Sequence, residues 1–216
     1  MISARLKYFV RRPLQLPIVL ITKLPYFGFV RDTQDYQYRI TFEWWFKQKV
    51  LNFGGNRRAY WPVHWTSKVY DVENIMIGVD SYPGYSSGCY IQGKGTISIG
   101  DYVQIGPNVI IVSANHDLYD NRKHLPAPVK IGSYCWIGGG AKIMPGVELG
   151  DWTVVAAGAV VTKSFPEGHC VIGGTPARLL KELDRERCVP FRNKVEYNGY
   201  IPASRFPEYR KKHLTL

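Results

Sequence analysis

The sequence predicts an all-β solenoid, and two observations on its spacing carry that prediction. Every sixth residue from position 99, with a restart at position 131, is aliphatic: Ile99, Ile105, Ile111, Ile131, Ile137, Ile143, Leu149, Val155 and Val161. Glycine follows five of these nine residues, at positions 100, 106, 132, 138 and 150. Neither the helical period nor plain strand alternation explains this repeat. Short strands joined by tight turns, with three six-residue units per coil, explain it.

Within each unit the aliphatic side chain is expected to point into a narrow prism. It should stack on its counterparts in the neighbouring coils, about 4.8 Å away. Residues 97–112 and 129–165 supply close to three coils, and the less regular stretch 69–96 is expected to add one or two. We therefore predict a prism over residues 69–172, with an extension at 1–68 and a tail at 173–216.

The repeat is interrupted between Ile111 and Ile131, which lie 20 residues apart. Because 20 is not a multiple of six, a loop must leave the prism between Val112 and Val129, and we assign it to residues 113–128. Loops of this length in compact repeats are usually functional or disordered. The sequence NHDLYDNRKHLP, with its charges and its tyrosine, favours function.

The flanking segments carry the basic charge of the chain. The formal net charge of the 216 residues is +11, of which residues 1–70 contribute +9, residues 71–176 contribute −3 and residues 177–216 contribute +5. Basic ends can contact nucleic acid, anionic lipid or a phosphorylated small molecule. The sequence has no helix-turn-helix, zinc-finger or RNP-like pattern, so we do not expect nucleic acid as a partner.

The N-terminal segment leaves two questions open. Its basic residues Arg5, Lys7, Arg11 and Arg12 adjoin an apolar run that prolines interrupt, which argues against a signal peptide or a spanning helix. The segment could lie on a membrane surface or pack on its own protein. The aromatic stretch further along, up to residue 65, could bind a glycan by ring stacking or form core against the prism, and we favour core.

The four cysteines, Cys89, Cys135, Cys170 and Cys188, form no C-x-x-C pair. In a chain of this length such sparse cysteines predict reduced thiols in a cytoplasmic setting, without a zinc site. None of them has a motif that marks an activated nucleophile.

The repeat occurs together with WIGGGAKIMPGVELGDWTVVAAGAVVTKSFP at 136–166 and GGTPARLLKEL at 173–183. This combination resembles the hexapeptide-repeat acyltransferases, and within them the galactoside, maltose and streptogramin O-acetyltransferases. The resemblance covers about residues 91–183. It implies a left-handed parallel β-helix, an exception to right-handed crossovers, with a C-terminal helix that starts within 173–183. It also implies a homotrimer and acetyl-CoA as co-substrate, with no metal, while the extension is expected to be irregular or helical.

The resemblance places the catalytic base on His116, within SANHD. A sugar hydroxyl is a poor nucleophile at neutral pH, so a base must take its proton during attack on the thioester, and neutral imidazole suits this role. His124 is the competing base. A metal site built from His116, Asp117, Asp120 and His124 is the competing chemistry. Asp117 could orient the imidazole, contact the acceptor or be a solvated loop charge.

Further site residues are expected on both substrates. The acceptor contacts that we predict are Tyr90, Gln92, Asn115, Asp117 and Trp136. Trp136 precedes an inward isoleucine, so its ring should lie outside the prism, beside the donor groove or in a subunit contact. The predicted donor contacts are Gly139, Ala157, Thr162, Lys163, Arg178 and Lys181, where small residues leave room for the pantetheine arm and basic groups suit phosphate.

These features predict an acetyl-CoA-dependent O-acetyltransferase. Its expected acceptor is a sugar hydroxyl of a surface polysaccharide or a lipid-linked precursor, reached at the inner face of the membrane. Two alternatives stay open: a streptogramin-type antibiotic O-acetyltransferase, and a trimeric scaffold without catalysis.

Overall fold

The computed structural model describes residues 20–216 of the chain. The basic residues at positions 5, 7, 11 and 12 lie outside the described residues, so the predicted membrane contact of that segment stays a prediction. Across residues 20–216, no helix combines the length and the apolar character needed to cross a bilayer.

Three parallel sheets form the walls of a prism. Wall 1 contains β1 (Lys68–Tyr70), β3 (Tyr90–Gln92), β6 (Ile110–Val112), β11 (Lys142–Ile143) and β14 (Val160–Val161). Wall 2 contains β2 (Ile75–Ile77), β4 (Ile97–Ile99), β9 (Val129–Ile131) and β12 (Glu148–Leu149). Wall 3 contains β5 (Gln104–Ile105), β10 (Trp136–Ile137), β13 (Thr153–Val155) and β15 (Cys170–Gly174). From β4 to β14 the strands of the prism visit wall 2, wall 3 and wall 1 in turn, as the predicted left-handed parallel β-helix requires.

The register of the walls follows the six-residue repeat. Ile111 pairs with a residue one coil away on each side, Ile91 and Ile143. Ile137 pairs in the same way with Ile105 and Val155. Because these aliphatic side chains are almost completely buried, each contributes about 1.5–3 kcal/mol to the free energy of unfolding. The repeated aliphatic therefore forms the core and fixes the position of every corner.

The corners differ in the residues that make the turn. Between wall 3 and wall 1 the left-handed positions are mostly glycine, including Gly140 and Gly158, both at φ +71°. Between wall 2 and wall 3 they include the aromatic residues Tyr134 (φ +58°) and Trp152 (φ +59°), an uncommon conformation for bulky residues. The Tyr134 and Trp152 rings stack with centroids 4.5 Å apart, which supports the strained backbone. The first corner is consequently open, whereas the second is filled.

The N-terminal extension packs short helices against the prism. They are the 3₁₀ turn Pro25–Phe27, α1 (Gly28–Asp32), α2 (Phe42–Trp45), the π-helical turn Phe46–Val50 and the 3₁₀ turn Phe53–Gly55. Tyr60 and Trp61 are buried, so part of the aromatic stretch forms core as we expected. Trp65 and Phe53 are nevertheless half exposed.

The C-terminal segment departs from the sequence prediction. Ala177–Glu182 form β16, which pairs antiparallel with β15, so the expectation that a helix begins within 173–183 is wrong. The last strand of wall 3 has an unpaired edge, and a returning strand satisfies its backbone groups where a helix could not. The C-terminal helix is α3 (Phe206–His213), after the 3₁₀ turn Arg185–Arg187, the hairpin β17 (Tyr197–Asn198) and β18 (Ile201–Pro202), and the 3₁₀ turn Ala203–Arg205.

Candidate active site

The interruption of the repeat forms a hairpin that projects between wall 1 and wall 2. β7 (Ala114–His116) and β8 (His124–Pro126) pair antiparallel, and we call residues 113–128 the excursion hairpin. Ser113 anchors its base, because its carbonyl accepts a hydrogen bond of 2.8 Å from the amide of Ala127. Its hydroxyl oxygen accepts a second hydrogen bond, of 2.9 Å, from the amide of Gly95. The prism therefore fixes where the hairpin starts and ends.

His116 lies at the end of β7 with its side chain exposed. Its Nδ1 is 2.5 Å from the carbonyl oxygen of Asn121. Since a carbonyl oxygen can only accept, Nδ1 must carry the proton in this contact. In the neutral ring Nε2 is then unprotonated and free to accept a proton. The hairpin thus holds the imidazole in the tautomer that a general base requires.

His124 is the register partner of His116 across the hairpin. The two ring centroids are 4.4 Å apart, at an angle of 46° between the planes. Desolvation, the charge of Lys94 and the neighbouring His116 all lower the pKa of His124. The second imidazole is therefore neutral at neutral pH, and it can pack on the first without charge repulsion. No sequence motif singles out Lys94, which lies one coil before the hairpin.

The two aspartates of the hairpin interact with the hairpin itself. Asp117 Oδ1 accepts hydrogen bonds of 2.9 Å from the amides of Tyr119 and Asp120, and these bonds lower the pKa of Asp117. Asp120 pairs with Arg122 at 2.8 Å, and this contact lowers the pKa of Asp120. Asp117 therefore shapes the turn that brings the Asn121 carbonyl to the imidazole, and its predicted contact with an acceptor stays a prediction.

The metal alternative has no support in the described part of the chain. Across residues 20–216, no group of three or more histidine, cysteine, aspartate or glutamate side chains is placed to hold a metal ion. The carboxylates of the candidate ligands Asp117 and Asp120 instead accept hydrogen bonds, Asp117 from a backbone amide and Asp120 from Arg122.

The predicted acceptor residues lie on two walls and on the excursion hairpin. Tyr90 and Gln92 belong to β3 in wall 1, where they pair with Ile110 and Val112, directly before the excursion hairpin. Gln92 Oε1 is buried, and within residues 20–216 it has no hydrogen-bond partner. Asn115 lies on the hairpin with an exposed side chain. Trp136 is 55% exposed on wall 3, outside the prism as expected. The first three residues therefore surround the base of the hairpin, whereas Trp136 lies on another wall of the same protomer.

The predicted donor residues fall into three groups. Gly139 and Ala157 lie at the open corner between wall 3 and wall 1, where the Gly158 amide donates to the Gly139 carbonyl at 2.9 Å. Thr162 and Lys163 follow β14 at the corner between wall 1 and wall 2, and the Lys163 ammonium lies 5.5 Å from the centre of the Phe165 ring. The third group, Arg178 and Lys181, is exposed on the terminal strand β16. Each group stays a predicted donor contact.

Three of the four cysteines are unsuited to covalent catalysis. Cys89, Cys135 and Cys170 are buried. Burial raises the pKa of Cys135 to about 12 and also raises the pKa of Cys89 and Cys170. A thiol that stays protonated is a poor nucleophile.

Comparison with known proteins agrees with this fold. The family model described as bacterial transferase hexapeptide (six repeats) matches residues 128–163. The galactoside O-acetyltransferase of Escherichia coli strain K12 is 37% identical over 156 residues, which cover 69% of this chain and 73% of that protein. The chain belongs to the hexapeptide-repeat acetyltransferases. It is an acyltransferase by that membership.

Other known proteins match over shorter stretches. Nodulation protein L of Rhizobium meliloti is 46% identical over 110 residues, or 49% of this chain and 58% of that protein. A solved structure of galactoside acetyltransferase in complex with coenzyme A is 32% identical, covers 62% of this chain and 67% of that chain, and superposes with a TM-score of 0.52.

Proposed function

We propose that this acetyltransferase transfers the acetyl group of acetyl-CoA to a sugar hydroxyl, with His116 as the general base. The observation that carries the proposal is the contact between His116 Nδ1 and the Asn121 carbonyl, which leaves Nε2 as a proton acceptor. The family relatives named galactoside O-acetyltransferase support both the donor and the acceptor class.

The transfer is a direct one in a complex that holds both substrates. His116 Nε2 takes the proton of the acceptor hydroxyl while the hydroxyl oxygen bonds to the thioester carbon. As the bond from carbon to sulfur breaks, His116 returns the proton to the departing thiolate, so the ring ends neutral. The buried, protonated thiols support a mechanism without an acyl-enzyme.

The open corner between wall 3 and wall 1 is the region best suited to the pantetheine arm. Its left-handed glycines carry no side chain, and a β-carbon added to Gly158 would meet no atom within 4 Å. An extended ligand could therefore approach the backbone along this corner. The exposed cations Lys163, Arg178 and Lys181 are suited to the phosphates of the donor.

A homotrimer would bring these separated parts together. In one protomer the excursion hairpin leaves between wall 1 and wall 2, whereas Trp136 lies on wall 3 and Gly139 at its far corner. A hairpin that reaches across to the open corner of an adjacent prism would place its histidine beside the donor. The exposed hairpin tip, Leu118 and Tyr119, is consistent with such a contact.

The natural acceptor in this proposal is a surface polysaccharide or its lipid-linked precursor. The basic flanking segments support it, since their charge would favour the anionic inner face of the membrane, on the cytoplasmic side. The predicted acceptor residues Tyr90 and Gln92, next to the hairpin, offer a phenol and an amide for hydroxyl recognition.

The test is an assay of coenzyme A release with a thiol reporter. Purified protein with acetyl-CoA should release coenzyme A only when a sugar acceptor is added. His116→Ala should lower that rate by about 10²–10⁴-fold, while His124→Ala should retain most of it. A His116→Ala variant at the wild-type rate would overturn the proposed base.

The same assay separates the alternatives. Streptogramins as acceptors, with sugars inactive, would indicate the antibiotic enzyme. Absence of both acetyl-CoA binding and acceptor-dependent release would indicate the trimeric scaffold. Mass spectrometry of surface glycans from cells with and without the gene would identify the acceptor and the acetylated position.

A further inference from the structure

A surface cavity in the N-terminal extension is not used by the reaction described above. It has a volume of about 230 Å³ and lies between Trp44, Phe53 and Trp65. We call it the Trp44–Trp65 cavity. Pockets for drug-sized ligands usually measure roughly 300–1,000 Å³, so this cavity is suited to a single ring with its substituents.

The aromatic walls of the cavity are held in place by other contacts. The Trp44 ring stacks on Tyr85 with centroids 4.5 Å apart and planes at 6°, and its Nε1 donates to the Val63 carbonyl at 3.2 Å. The Trp65 ring packs on His64 with centroids 3.9 Å apart. One face of each indole is thus already covered by protein, and the rings are oriented before any ligand arrives.

The exposed fractions of these rings are high for such large side chains. Trp65 and Phe53 are each 49% exposed, although the same extension buries Trp61 completely. Half-exposed rings that line one cavity expose apolar surface that a ligand could cover. The Lys47 ammonium, 5.6 Å from the centre of the Trp65 ring, lies beside this surface. The cavity therefore favours a ligand with apolar faces.

The polar groups of the cavity indicate a neutral ligand with hydroxyl groups. Glu43 and Lys47 form an ion pair of 2.6 Å at its rim, where Glu43 is exposed and Lys47 is partly buried. Because the two charges balance, the lining that residues 20–216 supply has no excess cation for a phosphate. The pair offers acceptors and donors to hydroxyls, which a hydrocarbon chain would leave unused. A pyranose ring combines C–H faces for the indole with hydroxyls for the ion pair.

The position of the cavity connects it to the open corner. The Gly88 amide donates to the hydroxyl oxygen of Thr66, the residue after Trp65, at 3.0 Å. Gly88 has a left-handed backbone at φ +72°. The left-handed residues Asn108, Gly140 and Gly158 make the corresponding turn in the coils that follow. The cavity consequently lies at the N-terminal end of the corner along which we placed the donor.

We propose that the Trp44–Trp65 cavity binds one sugar residue of the acceptor, away from the residue that is acetylated. This inference rests on the proposed function, because it assigns the acceptor a second point of attachment. The acceptor is then at least a short oligosaccharide, and its affinity depends on rings that take no part in proton transfer.

Binding is tested without acetyl-CoA, by saturation-transfer NMR and calorimetry with methyl hexopyranosides and short oligosaccharides. Saturation should reach mainly the ring C–H protons. Trp65→Ala should weaken binding at least about tenfold, whereas Trp65→Phe should weaken it less because a ring remains. Phe53→Ala should weaken binding, and the matched control Phe46→Ala should not, since Phe46 is also exposed but does not line the cavity.

The results distinguish this inference from the proposed function. His116→Ala should retain the part of saccharide binding that is lost in Trp65→Ala, and Trp65→Phe should raise KM for an oligosaccharide more than KM for a monosaccharide. Saccharide binding without acetyl transfer would reject the proposed function alone. If all cavity variants transferred acetyl groups with the wild-type KM for the oligosaccharide, the proposed sugar binding by the cavity would be overturned. Equal saturation of cyclohexanol, which has the ring without the hydroxyl pattern, would overturn the sugar assignment.

Discussion

The prism walls and the excursion hairpin differ in what holds them in shape. Ile111 and Ile137 are completely buried and stack in register with neighbouring coils, whereas Leu118 and Tyr119 at the hairpin tip are 92% and 98% exposed. The hairpin depends instead on the hydrogen bonds that the Asp117 carboxylate accepts from nearby amides and on its base at Ser113. Packing thus fixes the platform, and short-range polar contacts fix the orientation of the histidine.

The largest effect should come from the core of a wall. Ile137→Ala should lower the free energy of unfolding by about 2–5 kcal/mol, because a cavity would remain between Ile105 and Val155. Leu118→Ala, which also truncates an aliphatic side chain, should change it by less than about 0.5 kcal/mol. Urea unfolding of both variants checks this. If Ile137→Ala and Leu118→Ala lowered the free energy of unfolding by similar amounts, the difference between the packed walls and the exposed hairpin would be contradicted.

The corners of the prism should be next in sensitivity. A β-carbon on Gly168, at φ +61°, would lie 2.1 Å from the Asp151 carbonyl oxygen, whereas one on Gly158, at φ +71°, would meet nothing within 4 Å. Gly158→Ala should cost about 1–2 kcal/mol from backbone conformation alone, and Gly168→Ala should cost more because of the added clash. Thermal unfolding of the matched pair measures the difference. Equal costs would show that the coils relax at the crowded corner.

The smallest effect on stability should come from the hairpin turn. Asp117→Ala removes the acceptor of two amide hydrogen bonds and should lower the transfer rate several-fold, with little change in the free energy of unfolding. Asp117→Asn should keep most of the rate, since its amide oxygen can accept the same bonds.

The pH dependence of the turn follows from the lowered pKa of Asp117. Its stabilising bonds should be fully present above the ordinary pKa of an aspartate and should weaken as the pH falls through the lower folded value. Hydrogen exchange at the amides of Tyr119 and Asp120 monitors the change. The role of Asp117 would be contradicted if the pH dependence of exchange were only that of the chemical exchange rate. It would also be contradicted if Asp117→Ala left exchange at these amides unchanged.

The prism and the site of its interruption could be predicted from the sequence, because each wall repeats one short-range pattern. The residues Ile99 to Val161 mark it without any knowledge of partners, and a spacing of 20 residues marks the loop. The strand Ala177–Glu182 was mistaken for a helix start, since its pairing depends on the free edge of β15, which no local pattern reveals.

The details of the site depend on contacts through space. The carbonyl of Asn121 is a backbone group, so no residue type signals that it faces His116. Lys94 affects His124 only because one coil stacks on the next. The cavity between Trp44 and Trp65 requires the extension to fold before its rings meet. A dense aromatic stretch is visible in the sequence, but its division into buried and exposed rings is not.

The central claim is that the hairpin sets His116 as a neutral base with Nε2 unprotonated. Nitrogen NMR of protein labelled at histidine, with the signals assigned by their loss in His116→Ala, measures this directly. The account predicts that the neutral imidazole of His116 carries its proton on Nδ1 and leaves Nε2 bare in the free enzyme. A proton on Nε2 with Nδ1 bare would contradict the account, because the nitrogen available to the acceptor hydroxyl could not then take its proton.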